Sequence, residues 1–343
     1  MTTLDPAGVH QKNFTRFLQK LAARREYGLA MLLALIAITA TLRSPEFLAP
    51  QNLKDIFANA SQTAVIACGV MLVVITGEID ISVGSALGFL SAILGTLVAP
   101  TTAPVPGLGL PVALAVVVVL LAGTAIGLIN GVLVTRARVP SIIVTLAMLM
   151  ILKSATTLIM HRGFLSNLPD SLSFFGTGKV LGMIMPLWIM AAVLLATFAL
   201  LRFTPLGRRI YAVGSNPDAA RLAGISVAGV KIFTFAITGF LVGIATLITQ
   251  LTTFDNAIGA GLELLVITCV VVGGVSISGG TGTLMGVFLA VLLLSIQKTF
   301  LIFLKLGPGW AYWDKAIQGA LILTAVLLDH LATRRQGDTR GGH

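Results

Sequence analysis

About ten long apolar stretches follow one another along the chain, at residues 27–41, 61–76, 83–98, 111–134, 141–161, 184–201, 229–251, 263–278, 284–304 and 313–330. A helix needs about 20 apolar residues to cross the hydrocarbon core of a bilayer. Lipid offers no partner to an open N–H or C=O, so such segments must be helices that satisfy their own backbone. The fold class expected is therefore all-α, a polytopic membrane protein of about ten transmembrane helices. The third and eighth stretches are short for a full crossing, which points to tilt or a partly re-entrant path. Of the 343 residues 56% are apolar and only 10% charged, against about 25% charged in an average soluble domain. A soluble enzyme, a disordered chain and a secreted disulfide scaffold are all disfavoured. Cys68 and Cys269 lie inside apolar stretches and read as small buried hydrophobes.

Ten crossings put both termini on one side, and basic residues concentrate in cytoplasmic loops. With the N-terminus inside, the inner segments carry Lys12, Arg16, Lys20, Arg24, Arg25, Arg136, Arg138, Arg202, Arg208, Arg209, Arg221, Lys231, Arg334, Arg335 and Arg340. The outer loops carry Arg43, Lys54, Arg162, Lys179 and Lys305, and Lys153, Lys298 and Lys315 lie in or at the edge of spans. Both ends are thus expected in the cytoplasm. The net charge of +10 is an orientation signal and not a sign of nucleic-acid binding. Residues 1–26 form a basic tail, 27–330 the membrane domain and 331–343 a second cytoplasmic tail. In the first tail Phe14, Phe17, Leu18 and Leu21 lie opposite Lys12, Arg16 and Lys20, the pattern of an interfacial helix. A solvated tail that only sets topology is the alternative. A basic start with no small-residue cleavage site gives no expectation of a signal peptide. The segments between spans reach at most about 30 residues, too few for a soluble domain, which takes about 50 or more.

Polar residues at membrane depth are costly, so each group of them is a candidate site. Thr76-Gly77-Glu78-Ile79-Asp80-Ile81-Ser82-Val83-Gly84-Ser85 interrupts the apolar pattern between the second and third stretches. Irregular backbone there must line a cavity or pack in protein. Glu78, Asp80, Ser82 and Ser85 therefore either contact solute along a path or form a structural polar network, with Asp80 capping the third helix. Lys153 sits mid-span, and Glu78 or Asp80 is its expected partner. Gly273 to Thr283 is glycine-rich, but the Lys of a phosphate-binding loop is missing, so it reads as a turn between the eighth and ninth helices. It faintly repeats Ile79–Ser85. Gly123, Gly127 and Gly131, with Gly239 and Gly243, are four apart and allow close helix packing. His10, His161, His330 and His343 are scattered, so neither a metal site nor an intramembrane enzyme is expected.

The segment 203–228 is the most informative. Asn216-Pro217-Asp218 marks a helix start, Ala219-Ala220-Arg221-Leu222 continues it, and Gly224 stops it. A short helix between two spans suits docking into a soluble partner; a plain topogenic loop is the alternative.

Gly77–Ser85, Val139-Pro140-Ser141-Ile142-Ile143-Val144-Thr145-Leu146, Gly207–Ile225 and Gly261-Leu262-Glu263 through Gly286 occur in this order. Together they resemble permease subunits of ribose-, xylose-, rhamnose- and autoinducer-type ABC importers, more distantly related to branched-chain amino acid permeases. The resemblance spans about residues 27–330. It implies a multi-pass protein of the bacterial inner membrane that translocates a monosaccharide and is not itself an enzyme. It also implies a second permease subunit, identical or not, a cytoplasmic ATP-binding subunit, and a periplasmic or lipid-anchored substrate-binding protein. The chain would bind no cofactor; ATP and Mg would sit on the ATPase. Segment 203–228 would be the coupling loop, with Gly207, Arg208, Arg209, Asn216, Ala219, Ala220, Arg221 and Gly224 as its candidate residues. Autoinducer, nucleoside or branched-chain amino acid transport are alternatives within the class, and a secondary transporter or channel is a distant one. Many sugar members read Gly-Gly-Ile-Asp-Leu-Ser where this chain has Gly77-Glu78-Ile79-Asp80-Ile81-Ser82, and often carry Arg near Lys153. Ribose specificity therefore does not transfer on the motif alone.

Overall fold

The structure, a computed structural model, describes residues 25–101, 107–160, 169–249, 258–304 and 310–338. The tail helix expected around residues 12–21 lies outside the described residues. Helix α1 (Arg25–Arg43) leads through a 3₁₀ turn (Pro45–Leu48) to α2 (Pro50–Ile75), α3 (Val83–Val98), α4 (Val112–Thr135) and α5 (Ser141–Met160). A short helix α6 (Asp170–Thr177) and a small antiparallel hairpin, β1 (Lys179–Val180) and β2 (Met183–Ile184), precede α7 (Met185–Phe203). Two short helices, α8 (Pro205–Ser215) and α9 (Pro217–Leu222), then lead to α10 (Val227–Ile248), α11 (Leu262–Val272), α12 (Leu284–Phe303) and α13 (Trp310–Asp338). Helix starts follow local chemistry. Proline fills the first turn of α2, α7, α8 and α9, where its missing N–H costs nothing, and Ser226 and Thr283 accept from Gly229 and Gly286 to cap α10 and α12.

Among the described residues seven helices are long and apolar enough to cross a membrane: α1, α2, α4, α5, α7, α10 and α12. The two stretches expected to be short are short. Helix α3 has 16 residues and α11 only 11, a rise of about 16 Å for the latter against a core of about 30 Å. The eighth stretch, read from sequence as 263–278, ends as a helix at Val272. Gly274 there takes φ +91°, its N–H donates to Val271 O, and the N–H of Val275 donates to Val270 O, a left-handed stop that closes the helix on itself. The tenth stretch falls within α13.

Helix α2 is the axis of the bundle, buried without a break from Thr63 to Ile75, and it packs against α7, α10, α11 and α12. The glycine ladder sets a close crossing. A Cβ on Gly123 would run into Gly239 O, and one on Gly127 into Phe235 O, so α4 and α10 touch backbone to backbone. Cys68 and Cys269 are both buried and unpaired with each other.

Candidate functional site

The Ile75 end of α2 is a junction of three polypeptide segments. The turn 76–82 leaves α2, the glycine-rich turn 273–283 leaves α11, and α8 lies across both. Gly280 N donates to Ile75 O at 2.8 Å, and Tyr211 Oη of α8 donates to Gly282 O at 2.9 Å. Burial raises the Tyr211 phenol above its ordinary pKa, so it stays a neutral donor. Gly214 of α8 fits against Ile75 O and Gly280 N with no room for a side chain. The glycine run expected to be a turn between helices is one, and it also forms the seat of α8.

Helix α8 buries Ile210 and Val213, sets Gly207 against the backbone of Leu200 and Leu201 in α7, and leaves Arg208 and Arg209 exposed. Helix α9 starts where the sequence suggested: Asn216 Oδ1 accepts from the N–H groups of Asp218 (3.0 Å) and Ala219 (2.9 Å). Gly224 ends it at φ +79°. Ala220 is buried and tethers α9 to the body, while Ala219 and Arg221 are exposed, Arg221 pairing with Asp218 at 3.0 Å. Leu222 projects from the end of α9 with 91% of its surface exposed. The sequence reading passed over it because a leucine in a short helix is ordinarily core.

The turn 76–82 divides into two settings. Asp80, 3% exposed, accepts at Oδ1 from the N–H (2.9 Å) and hydroxyl (2.6 Å) of Ser82, whose Oγ accepts from Asn130 of α4 at 3.0 Å. Asp80 and Ser82 are thus enclosed in a network with Asn130, a residue the sequence reading missed; an amide among apolar neighbours at 112–135 was its only signal. Glu78 instead reaches Lys231 of α10 in an ion pair whose two side chains are mostly buried. That corrects the expected pairing of Lys153 with Glu78 or Asp80. Lys231 lies near the start of α10, which follows α9 directly, whereas Lys153 is an exposed residue in the second half of α5.

Ser85, Lys153 and Thr156 line a small cavity of about 80 Å³ with Glu263, at the start of α11. Neither Lys153 nor Glu263 forms an ion pair among the described residues. Ser85 and Lys153, two of the five path or network residues, meet at a cavity away from the junction.

The residues matched by known proteins span this whole arrangement. Residues 52–326 match the family described as branched-chain amino acid transport system / permease component. The ribose import permease protein RbsC of Escherichia coli (strain K12) is 36% identical over 322 residues, 92% of this chain and 96% of that one. The L-arabinose ABC transporter permease protein AraH of Azospirillum brasilense is 33% identical over 304 residues, covering 88% and 86% of the two chains. The autoinducer 2 import system permease protein LsrC of Yersinia enterocolitica is 32% identical over 321 residues, 92% and 85%. No solved structure gives a significant match. The chain is a multi-pass membrane permease, and it belongs to the branched-chain amino acid transport system / permease component family.

Proposed function

We propose that this chain is the translocating subunit of an ATP-driven importer in the bacterial inner membrane, carrying a monosaccharide inward while a separate subunit hydrolyses ATP. The observation that carries the coupling half of this reading is α9, a capped helix tethered by Ala220 that presents Leu222 to solvent next to the exposed Arg221. Such a knob fits a groove in a soluble ATP-binding subunit, where ATP and Mg would reside. The choice of sugar rests on the relatives named for ribose and L-arabinose; the autoinducer 2 relative makes that solute the second reading.

The junction end is taken as cytoplasmic because Arg136, Arg138, Arg202, Arg208, Arg209, Arg221 and Lys231 gather there. Thr283 at the junction donates to Glu26 at 2.7 Å, so α1 starts on that side. Counting α3, α11 and α13 as crossings gives ten, with both termini cytoplasmic. A second permease subunit is placed against α5. An exposed lysine there would cost about 2.5–3.5 kcal/mol facing lipid, and the cost falls if Lys153 faces a polar path between two subunits. A periplasmic or lipid-anchored binding protein would deliver solute at the opposite end.

Reconstitution with the cognate ATP-binding and substrate-binding proteins tests the reading. Uptake of ribose, L-arabinose or autoinducer 2 should require ATP and both partners. Sugar movement by the permease alone would overturn it in favour of a secondary carrier or channel.

A further inference from the structure

The end of the bundle opposite the junction holds a cavity of about 500 Å³, within the roughly 300–1,000 Å³ of small-molecule sites. Its first wall belongs to α2. Asn52, Asp55, Asn59 and Gln62 recur at alternating steps of three and four and so share one face of the helix. From Asn52 to Gln62 the helix rises about 15 Å, half of a hydrocarbon core of about 30 Å. The stripe stops where the unbroken apolar burial of α2 begins. A polar row at that depth is expensive unless it meets water or a polar solute. Asp55 and Asn59 are in fact exposed, although their neighbours Ile56, Ala58 and Ala60 are buried.

The facing wall comes from α12 and α13. Lys298 and Lys315 are exposed into the cavity, and among the described residues neither is in an ion pair. Asp314 is held by Gln318 at 2.8 Å, and Gln62 by Thr249 at 2.8 Å. Two carboxylates, Asp55 and Asp314, balance the two ammonium groups. The lining therefore has no net formal charge, yet it is dense in donors and acceptors. Leu87 and Cys269 close the floor with apolar surface. A dianion such as a phosphate ester would meet two carboxylates here. A neutral molecule with many hydroxyls would meet amides, carboxylates and ammonium groups at once.

Gly259, Ala260 and Gly261 line this cavity and also the Lys153–Glu263 cavity on the α5 side. One turn of chain separates the two, and the Lys315 ammonium lies against it at Gly261. We propose that this vestibule is a solute-binding site inside the single subunit, which takes a neutral polyhydroxy molecule of monosaccharide size on the side opposite the junction. The inference rests on the importer reading and adds to it an occupied station in each subunit, apart from any path between two subunits.

The test uses the assembled importer, with Cys68 and Cys269 replaced by alanine and Asn59→Cys introduced. The reagent is a membrane-impermeant cationic methanethiosulfonate applied from the binding-protein side. Uptake of D-ribose, L-arabinose and D-xylose is measured in the same preparation to find the transported sugar. The cysteine should be modified, and the transported sugar should slow modification in proportion to 1 + [L]/Kd, about tenfold at ten times Kd. Ser295→Cys, a near-isosteric change on the facing wall of α12, should behave alike if Asn59→Cys fails to assemble. Absence of modification at both positions in an active importer overturns the vestibule. So does modification that the transported sugar leaves unslowed. An importer that moves none of the sugars defeats the monosaccharide reading, and the vestibule's claim on neutral polyols with it; ATP-independent movement defeats the importer reading while protection can still be scored.

Discussion

Leu222→Ala isolates docking from folding. Ala220, the Asn216 cap and the seat of α8 hold α9 in place, whereas the Leu222 side chain is 91% exposed and supports nothing within the subunit. If a partner's groove buries it, the substitution removes three carbons from the interface. At about 0.8 kcal/mol for each methylene-sized group the loss is about 2.4 kcal/mol, or about 50-fold in Kd. The measurement is a titration of the purified ATP-binding subunit onto nanodisc-held permease, with thermal unfolding of the permease followed in parallel. The variant should weaken binding about 50-fold while its melting temperature stays at the wild-type value. Sugar-stimulated ATP hydrolysis should fall at low ATPase concentration and recover when the ATPase is raised. Lys179→Ala is the control, because it removes an exposed charge from the hairpin before α7, at the other end of that helix from α8 and α9. A loss of less than about threefold for Leu222→Ala, about 0.6 kcal/mol, would refute the docking role assigned to α9.

Two further substitutions probe the body of the subunit. Gly239→Ala would set a methyl group against Gly123 O where α4 and α10 cross, with backbone on both sides; overpacking of this kind costs about 1–3 kcal/mol, so the detergent-solubilised protein should melt lower, and an unchanged melting temperature would show that the helices part freely. Lys231→Met leaves the mostly buried Glu78 carboxylate without its partner; adding Glu78→Gln should restore part of the lost stability, with a coupling of about 0.5–3 kcal/mol, and strictly additive losses would mean the pair does not interact.

What could be read in the sequence was whatever repeats along it. Apolar stretches, basic inner loops, the four-residue glycine ladder and the Asn216–Gly224 helix signal all depend on neighbours in the chain. The third stretch was placed at its observed limits, 83–98, because Ser82 and the apolar pattern mark them locally. The eighth was drawn six residues too long, since Val275 and Ile277 extend the apolar count past the glycines that end the helix. Pairings across the fold were not legible. Sign alone matched Lys153 with Glu78 or Asp80, but the fold decides the partner, and Glu78 meets Lys231 far along the chain. The polar stripe of α2 went unread, because Asn52, Asp55 and Asn59 precede the stretch drawn as 61–76 and only Gln62 falls within it. Its meaning emerges only when α12 and α13 bring Lys298 and Asp314 to the other side of the same space.

The helices before the two echoing segments, 79–85 and 274–280, end alike at the junction. After α2, Gly77 N donates to Val74 O and Glu78 N to Val73 O; after α11, Gly274 N donates to Val271 O and Val275 N to Val270 O. Both helices thus end in the same pair of bonds, with a left-handed glycine at the same place, φ +78° in one and +91° in the other. The two turns are joined by Gly280 N on Ile75 O, and α8 touches both through Gly214, again with no side chain between. Flexible side chains can absorb a displacement by changing rotamer; peptide planes in direct contact cannot, because close-packed matter transmits strain. A force on α9 passes to α8 through their shared Asn216 corner, and α8 cannot slide without moving the ends of α2 and α11 together. Helix α2 carries the polar stripe, and α11 begins at the Gly259–Gly261 turn between the two cavities. The backbone contacts at the junction therefore give an ATP-driven movement at one face a short, stiff route to the walls of the vestibule at the other.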